Sequence, residues 1–287
     1  MIKFLAVGFL TLLAGAAAAE PAAWRIPGTG DGTVMLLGSV HTLRESDYPL
    51  PPLINTLYDE AESLVMELDL DDLDPASIQS ALLAAAMLPA EERLADVLDS
   101  ALYAQADAQA ENLGIDLELL DRFEPWLVAV TMLDLGMMQM GYRPERGLEQ
   151  YLLNRARADG KGVEGLESLE TQVRVFDELP LIEQAALLEQ TLNELGTAQS
   201  VMDNMVSAWR DGQLDVLAED LTEDFAAFPE LYDALVVDRN TAWIEEIERL
   251  LGDGQRYLIV VGGLHLVGQD SVISMLIERG HTVERIH

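Results

Sequence analysis

Four histidines occur among the 287 residues, and two of them share one local frame. Gly38-Ser-Val-His41 and Gly262-Gly-Leu-His265 each follow a short apolar run. Given glycine at 21 of 287 positions, such a coincidence among four histidines has a probability of roughly 3%, so the frame carries information. In an open α/β sheet, ligands bind beyond the carboxyl ends of strands, where glycines let backbone and substrate approach closely. Two such ends predict both imidazoles on one cavity. Imidazoles there serve acid–base chemistry or hold a metal ion.

Carboxylates stand at comparable places. Glu67, between Met66 and Leu68, ends an apolar run, where an ionised group needs a cation, a metal or strong hydrogen bonds. Glu164 and Glu167 end a short stretch after Lys161. Arg239 leads an inward helical stripe followed at spacings of four by Trp243 and Ile247, with Asn240 and Ile244 beside it. Its guanidinium points at the core, either as a structural partner for one of these glutamates or as a group for substrate or oxyanion.

The elements that must position these groups read as two strand-rich ends around a helical middle. Thr33 to Val40 and Ser63 to Asp69 have the pattern of strands buried on both faces. A helix between them over Pro49 to Glu62 makes a βαβ start. Helices are predicted over Ala76 to Met87, Ala90 to Leu113, Pro125 to Gly141, Glu145 to Gly160, Leu181 to Leu195 and Ala198 to Asp211, with Val163 to Glu167 as a short strand after a glycine turn. The end reads as a helix from Glu230 to Leu251, a strand Arg256 to Val261, a helix Ser271 to Arg279 and a strand His281 to Ile286. The stripe Met132 to Met140 reads as core, and the acidic runs Asp69 to Asp74 and Glu219 to Asp224 lack the glycine punctuation of a calcium loop.

Composition narrows the partners. Against 51 Asp+Glu stand 17 Lys+Arg, a formal charge of −34, which argues against nucleic acid and anionic membrane surfaces. A peptide or other small substrate fits better. Residues 1–19 carry Lys3, an apolar run from Phe4 to Leu13 and Ala17-Ala18-Ala19, the pattern of a signal peptide, so residues 20–287 are expected as one exported domain, periplasmic or secreted, with no membrane span after cleavage. No cysteine is present, which excludes disulfides and thiol chemistry. No Gly-x-Ser-x-Gly elbow occurs, and Gly28-Thr-Gly30 precedes the first apolar strand instead of following one. Composition does not set the oligomeric state.

Taken together, Leu37-Gly-Ser-Val-His-Thr42, Tyr48-Pro-Leu-Pro51, Leu64-Val-Met-Glu-Leu-Asp69, Gly165-Leu-Glu-Ser168 with Gln172, Arg239-Asn240 and Val261-Gly-Gly-Leu-His-Leu-Val-Gly268 resemble the TraB/PrgY/GumN family, which includes the Tiki metalloproteases. The resemblance implies a mixed α/β sheet of two pseudo-equivalent halves flanked by helices, each half with one GxxH, and a helical insertion over about 75–212. It also implies peptide hydrolysis dependent on a divalent cation. By motif, His41 and His265 carry over as metal-binding or catalytic, Glu67 as their acidic partner, Glu167 as a second carboxylate and Arg239 as the basic group.

On this reading His41, Glu67 and His265 hold one divalent ion, manganese, cobalt or zinc, whose water Glu167 orients or deprotonates while Arg239 and Ser39 stabilise the oxyanion. Two other functions use the same cavity. One is a metal-independent, esterase-like reaction with a histidine as general base. The other is a non-catalytic periplasmic binding protein for a peptide or haem.

Overall fold

The computed structural model describes residues 20–286, so the expected signal segment, residues 1–19, lies outside the described residues. Six strands form one mixed sheet: β1 (Ala23–Pro27), β2 (Thr33–Ser39), β3 (Ser63–Leu68), β4 (Gly162–Glu167), β5 (Arg256–Gly262) and β6 (Glu284–Arg285). Their spatial order is β4-β3-β5-β2-β1-β6. The four strands β4, β3, β5 and β2 run parallel, while β1 joins β2, and β6 joins β1, antiparallel. The mixed α/β fold and its helical middle match the expectation.

Register aligns the chemistry. Ser39 pairs with Gly262, Met66 with Val260 and Leu68 with Glu167, so four neighbouring parallel strands end together at one edge. The likeness of the two halves is clearest in β2 and β5, adjacent strands that each deliver a glycine and then a histidine over that edge.

Period-two alternation splits the strand side chains between two cores. Leu37, Leu64, Met66, Leu258 and Val260 face α1 (Pro52–Glu60) and part of the insertion. Leu36, Val65, Ile259 and Val261 face the late helices. Each fully buried aliphatic side chain is worth about 1.5–3 kcal/mol, so strands apolar on both sides are held from both sides.

Between β3 and β4 come α2 (Pro75–Ala85), α3 (Leu94–Val97), α4 (Ser100–Leu113), α5 (Pro125–Gln139) and α6 (Leu148–Asp159). Between β4 and β5 come α7 (Leu169–Asp177), α8 (Leu181–Glu194), α9 (Ala198–Arg210), α10 (Leu214–Asp224), α11 (Pro229–Tyr232) and α12 (Arg239–Gly252). A last helix, α13 (Val272–Glu278), precedes β6. Helices α4, α5 and α8 share a core of their own, with Ala106, Val128, Met132 and Leu188 buried in it. Of the stripe expected as core, Met132 packs here and Met137 and Met140 pack in the sheet core on the α1 side, whereas Met138 is 45% exposed.

The expected Ala90 to Leu113 helix is broken in two. Asp99 accepts hydrogen bonds from the backbone N–H groups of Ala101 and Leu102 and so starts α4 afresh. The late helix is interrupted by a π-helical stretch, Asp233–Asp238, immediately before Arg239. The last strand is only Glu284–Arg285. Strand β1 and helices α7 and α10 are additional to the expectation. No helix among the described residues is long and apolar enough to cross a membrane.

Candidate active site

His41 follows β2, and the start of α6 is docked against its loop. The Leu148 N–H donates to Val40 O at 3.2 Å. Gly147 permits the approach, because a Cβ there would stand 2.1 Å from His41 O. Docking brings Glu149, in the first turn of α6, under the histidine. Glu149 Oε1 lies 2.7 Å from His41 Nδ1 and also accepts from Ser39 Oγ. The carboxylate assigns the Nδ1 proton, so Nε2 faces outward with no hydrogen-bond partner among the described residues. The His41 side chain is 63% exposed, and the attraction of Glu149 raises its pKa to about 10. His41 and Ser39 conversely outweigh the burial that would raise Glu149, and lower it.

Glu67 and His265 approach the same point from the neighbouring strands. A Cβ built on Gly262 would lie 3.3 Å from Glu67 Oε1, 3.3 Å from His41 Nε2 and 3.5 Å from His265 Cδ2. His41 Nε2 and Glu67 Oε1 are therefore separated by at most twice 3.3 Å, about 6.6 Å. That gap is on the scale of one water with its two hydrogen bonds. Imidazoles more than two hundred residues apart in sequence thus meet around a glycine whose lack of a side chain leaves the space open.

Behind Gly262 a buried cation organises the carboxylates. Arg239 Nη2 donates to Glu67 Oε2 and to Glu167 Oε1, both at 2.6 Å, and Nε donates to both oxygens of Glu167. Nη1 donates to Leu235 O at 3.2 Å, within the π-helical stretch, and stands 3.1 Å from His265 Nε2. Trp243 Nε1 adds a bond to Glu167 Oε2, and its ring tilts against His265 with centroids 4.5 Å apart. Gln172 donates to Glu67 Oε2 at 3.1 Å and the Gly262 N–H to Oε1 at 2.7 Å. Burial would raise the Glu67 pKa, but His41, His265, Arg239 and the Gly262 N–H outweigh it and hold it at about 2.

The His265 tautomer follows from the network. Asn240 Nδ2 donates to Asp270 O, which turns Asn240 Oδ1 toward His265 Nδ1 at 2.7 Å. Nδ1 therefore carries the proton, and Nε2 accepts from Arg239. Burial, opposed by Glu67 and assisted by Arg239, lowers the His265 pKa to about 4, so the ring is neutral near pH 7.

A cavity of about 670 Å³ opens over this edge. Ser39, His41, Gly262 and His265 form one end of it, and α5, α8 and α9 wall the rest. Of the six site residues expected from sequence, Ser39, His41 and His265 line the cavity, while Glu67, Glu167 and Arg239 stand behind them and are buried or nearly so. Every polar nitrogen of Arg239 is engaged inside the protein, which leaves no donor aimed at the cavity. Glu167 is likewise held on both oxygens.

The donor set can be compared with a divalent ion. His41 Nε2 and Glu67 Oε1 both approach the Cβ position of Gly262 and would supply two ligands once a metal displaced the His41 Nε2 proton. His265 does not join them as arranged, because Arg239 takes its Nε2 lone pair and lies against Glu67, where a second cation would be repelled. The three-ligand set of His41, Glu67 and His265 thus does not fit with Arg239 in place, and among the described residues no group of three or more His, Cys, Asp or Glu is arranged to hold a metal. Glu149 is the site residue that sequence reasoning missed. The one signal was Gly147 two positions earlier, the glycine that lets the helix close on His41.

Two GxxH loops on adjacent parallel strands, with Glu67 and Glu167 at the ends of the next two strands and Arg239 joining them, are the residues on which the family resemblance rests. A family model described as TraB/PrgY/gumN matches residues 22–285. The chain belongs to the TraB/PrgY/gumN family. Among its relatives is YbaP, an uncharacterized protein of Escherichia coli (strain K12), 29% identical over 241 residues that cover 84% of this chain and 86% of that protein. YbaP of Shigella flexneri matches to the same extent. An uncharacterized protein of Treponema pallidum (strain Nichols) is 26% identical over 273 residues, 89% of this chain and 80% of that one. No solved structure matches significantly. This TraB/PrgY/gumN member therefore has its site defined by its own geometry.

Proposed function

We propose that this TraB/PrgY/gumN protein is an exported hydrolase that cleaves peptides at the His41–Glu67–Gly262 edge of the cavity. The observation that carries the reading is the convergence of His41 Nε2, Glu67 Oε1 and the His265 ring around the empty Cβ position of Gly262. Perturbed ionisable groups gathered at the end of a cavity mark a candidate functional site and supply the acid and carboxylate that hydrolysis can use.

The chain's own residues divide the work. His41 near neutral pH is an imidazolium whose Nε2–H points to the substrate, and Glu67 is an ionised acceptor beside it. Glu67 Oε1 orients a water toward the scissile carbonyl carbon. As the C–O bond forms, Glu67 Oε1 takes a proton from the water; as the C–N bond breaks, His41 gives its Nε2 proton to the departing nitrogen; the proton on Glu67 then passes to His41 Nε2, returning both groups to their starting states. Glu149 holds the His41 ring. Arg239, Glu167 and Trp243 fix Glu67 and His265 as positioning residues, and Ser39 anchors Glu149.

Divalent-metal dependence belongs to this proposal as a separable part. Manganese, cobalt or zinc would take His41 and Glu67 as protein ligands, and a third ligand from His265 would require Arg239 to leave it. The test is a peptide-library digestion read by mass spectrometry, run with wild-type protein, with chelator, with each metal restored, and with His41→Ala. Cleavage that disappears in His41→Ala supports hydrolysis at this edge, and rescue by a restored metal supports the metal part. Cleavage undiminished in His41→Ala, or no product from any library, contradicts the hydrolase reading.

A further inference from the structure

Two carboxylates and an imidazole nitrogen, donors that suit a divalent metal, converge behind Gly262, and what they converge on is a guanidinium. Arg239 Nη2 stands 2.6 Å from Glu67 Oε2 and 2.6 Å from Glu167 Oε1, and Nη1 stands 3.1 Å from His265 Nε2. Asn240 Oδ1 takes the proton-bearing Nδ1 of His265 at 2.7 Å, so the one lone pair of the ring points at Arg239. The edge that His265 turns toward the Gly262 space is a carbon, Cδ2, 3.5 Å from the Cβ position.

The fold builds a seat for this cation. Arg239 is 7% exposed, Leu235 O of the π-helical stretch accepts from its Nη1 at 3.2 Å, and its Cζ lies 4.8 Å from the Trp243 ring centroid. Its positive charge offsets the repulsion between the two carboxylates it joins. A divalent ion on the same donors would need the lone pairs that the guanidinium already holds, and would meet a like charge at short range. Guanidinium and ion therefore exclude one another at His265.

We propose that Arg239 is the resident cation of this site: its guanidinium takes the donors of Glu67, Glu167 and His265 that a divalent ion would use, and its removal turns these three residues into a metal site. His265 is then a positioning residue and not a metal ligand. An ion held by His41 and Glu67 Oε1 alone is compatible with this arrangement. The inference goes beyond the hydrolase reading and stands on metal affinity, not on turnover.

The test is a cobalt(II) titration, followed by calorimetry and by the visible absorption of the bound ion, of wild-type protein, His265→Ala, Arg239→Ala and Arg239→Ala/His265→Ala. Wild type and His265→Ala are expected to behave alike, binding with the same affinity or not at all. Arg239→Ala is expected to gain an ion at least ~10-fold more tightly bound than in wild type, the low end of what groups around metal ligands change in affinity, and the double variant to lose that gain. Cobalt should also raise the melting temperature of Arg239→Ala and not of wild type. Circular dichroism checks each fold, and if Arg239→Ala does not fold, the comparison of wild type with His265→Ala decides. An affinity that falls ~10-fold or more in His265→Ala makes His265 a ligand with Arg239 in place and overturns the proposal, as does a folded Arg239→Ala without any gain. Peptide cleavage enters neither outcome, so failure of the hydrolase reading leaves this inference standing, and the reverse.

Discussion

Arg239 Nη1 stands 3.1 Å from His265 Nε2, and the same guanidinium reaches Glu67 and Glu167 at 2.6 Å. One buried cation therefore sets the tautomer of a histidine on β5 and the position of carboxylates on β3 and β4. Removing it leaves two carboxylates uncompensated. Arg239→Ala is expected to lose about 3–5 kcal/mol of stability, measured by urea unfolding, because breaking one side of a buried pair exposes the full desolvation cost of the other. Arg239→Lys keeps the charge but not the planar fork, and is expected to fall between the two.

Glu149 is expected to control the titration of His41. In Glu149→Gln the His41 pKa, followed by NMR, should fall from its raised value toward the ordinary 6.5. The sign for stability follows. The folded pKa of His41 is raised, so its contribution is complete below about 6.5, and is lost as pH rises through about 10. The ring is more than half exposed, so solvent screening makes this contribution small. A His41 resonance that titrates identically in both proteins would remove Glu149 from the site.

Acid should act through other residues. The folded pKa of His265 is depressed to about 4, so between about pH 6.5 and 4 the unfolded chain takes up a proton that the folded chain refuses, and stability falls as pH falls through that window. Glu67, depressed to about 2, adds a further loss from about pH 4.5 downward. His265→Gln should flatten the upper part of this slope in urea-unfolding curves collected against pH.

Gly262→Ala probes the meeting point itself. Its Cβ would press on Glu67 Oε1 and His41 Nε2 at 3.3 Å each, tighter than ordinary contact, and would fill the space between them. Peptide cleavage is expected to drop at least ~100-fold, the order of cost for misplaced catalytic groups, while the cost in stability stays near ~1–3 kcal/mol. Equal activity of this variant and the wild type would contradict the site.

Much of this was legible in the sequence because it is written locally. The runs Thr33 to Val40 and Arg256 to Val261 are mostly apolar, with a glycine near or just past the end and a histidine three residues after it, so strands and edge histidines follow from them together. Glu67 stood out because a carboxylate inside such a run needs a partner. Glu149 did not, since a glutamate in the first turn of a helix is ordinary, and only the docking of α6 through Gly147 gives it a role. The internal engagement of Arg239 was equally hidden: its helical stripe predicts that it points inward, but whether its donors end on protein or on substrate depends on the close pairing of β3, β4 and β5. Strand β1 escaped because it is five residues long and ends at Pro27.

The proposed hydrolysis requires His41 and Glu67 to work as one unit across Gly262. A double-mutant cycle on kcat/KM for peptide cleavage tests this most directly, with His41→Ala, Glu67→Gln and the two combined. Residues that act together lose nearly all activity with the first substitution, so the double variant is predicted to be about as slow as either single one. Losses that multiply, or full cleavage by His41→Ala, would contradict it.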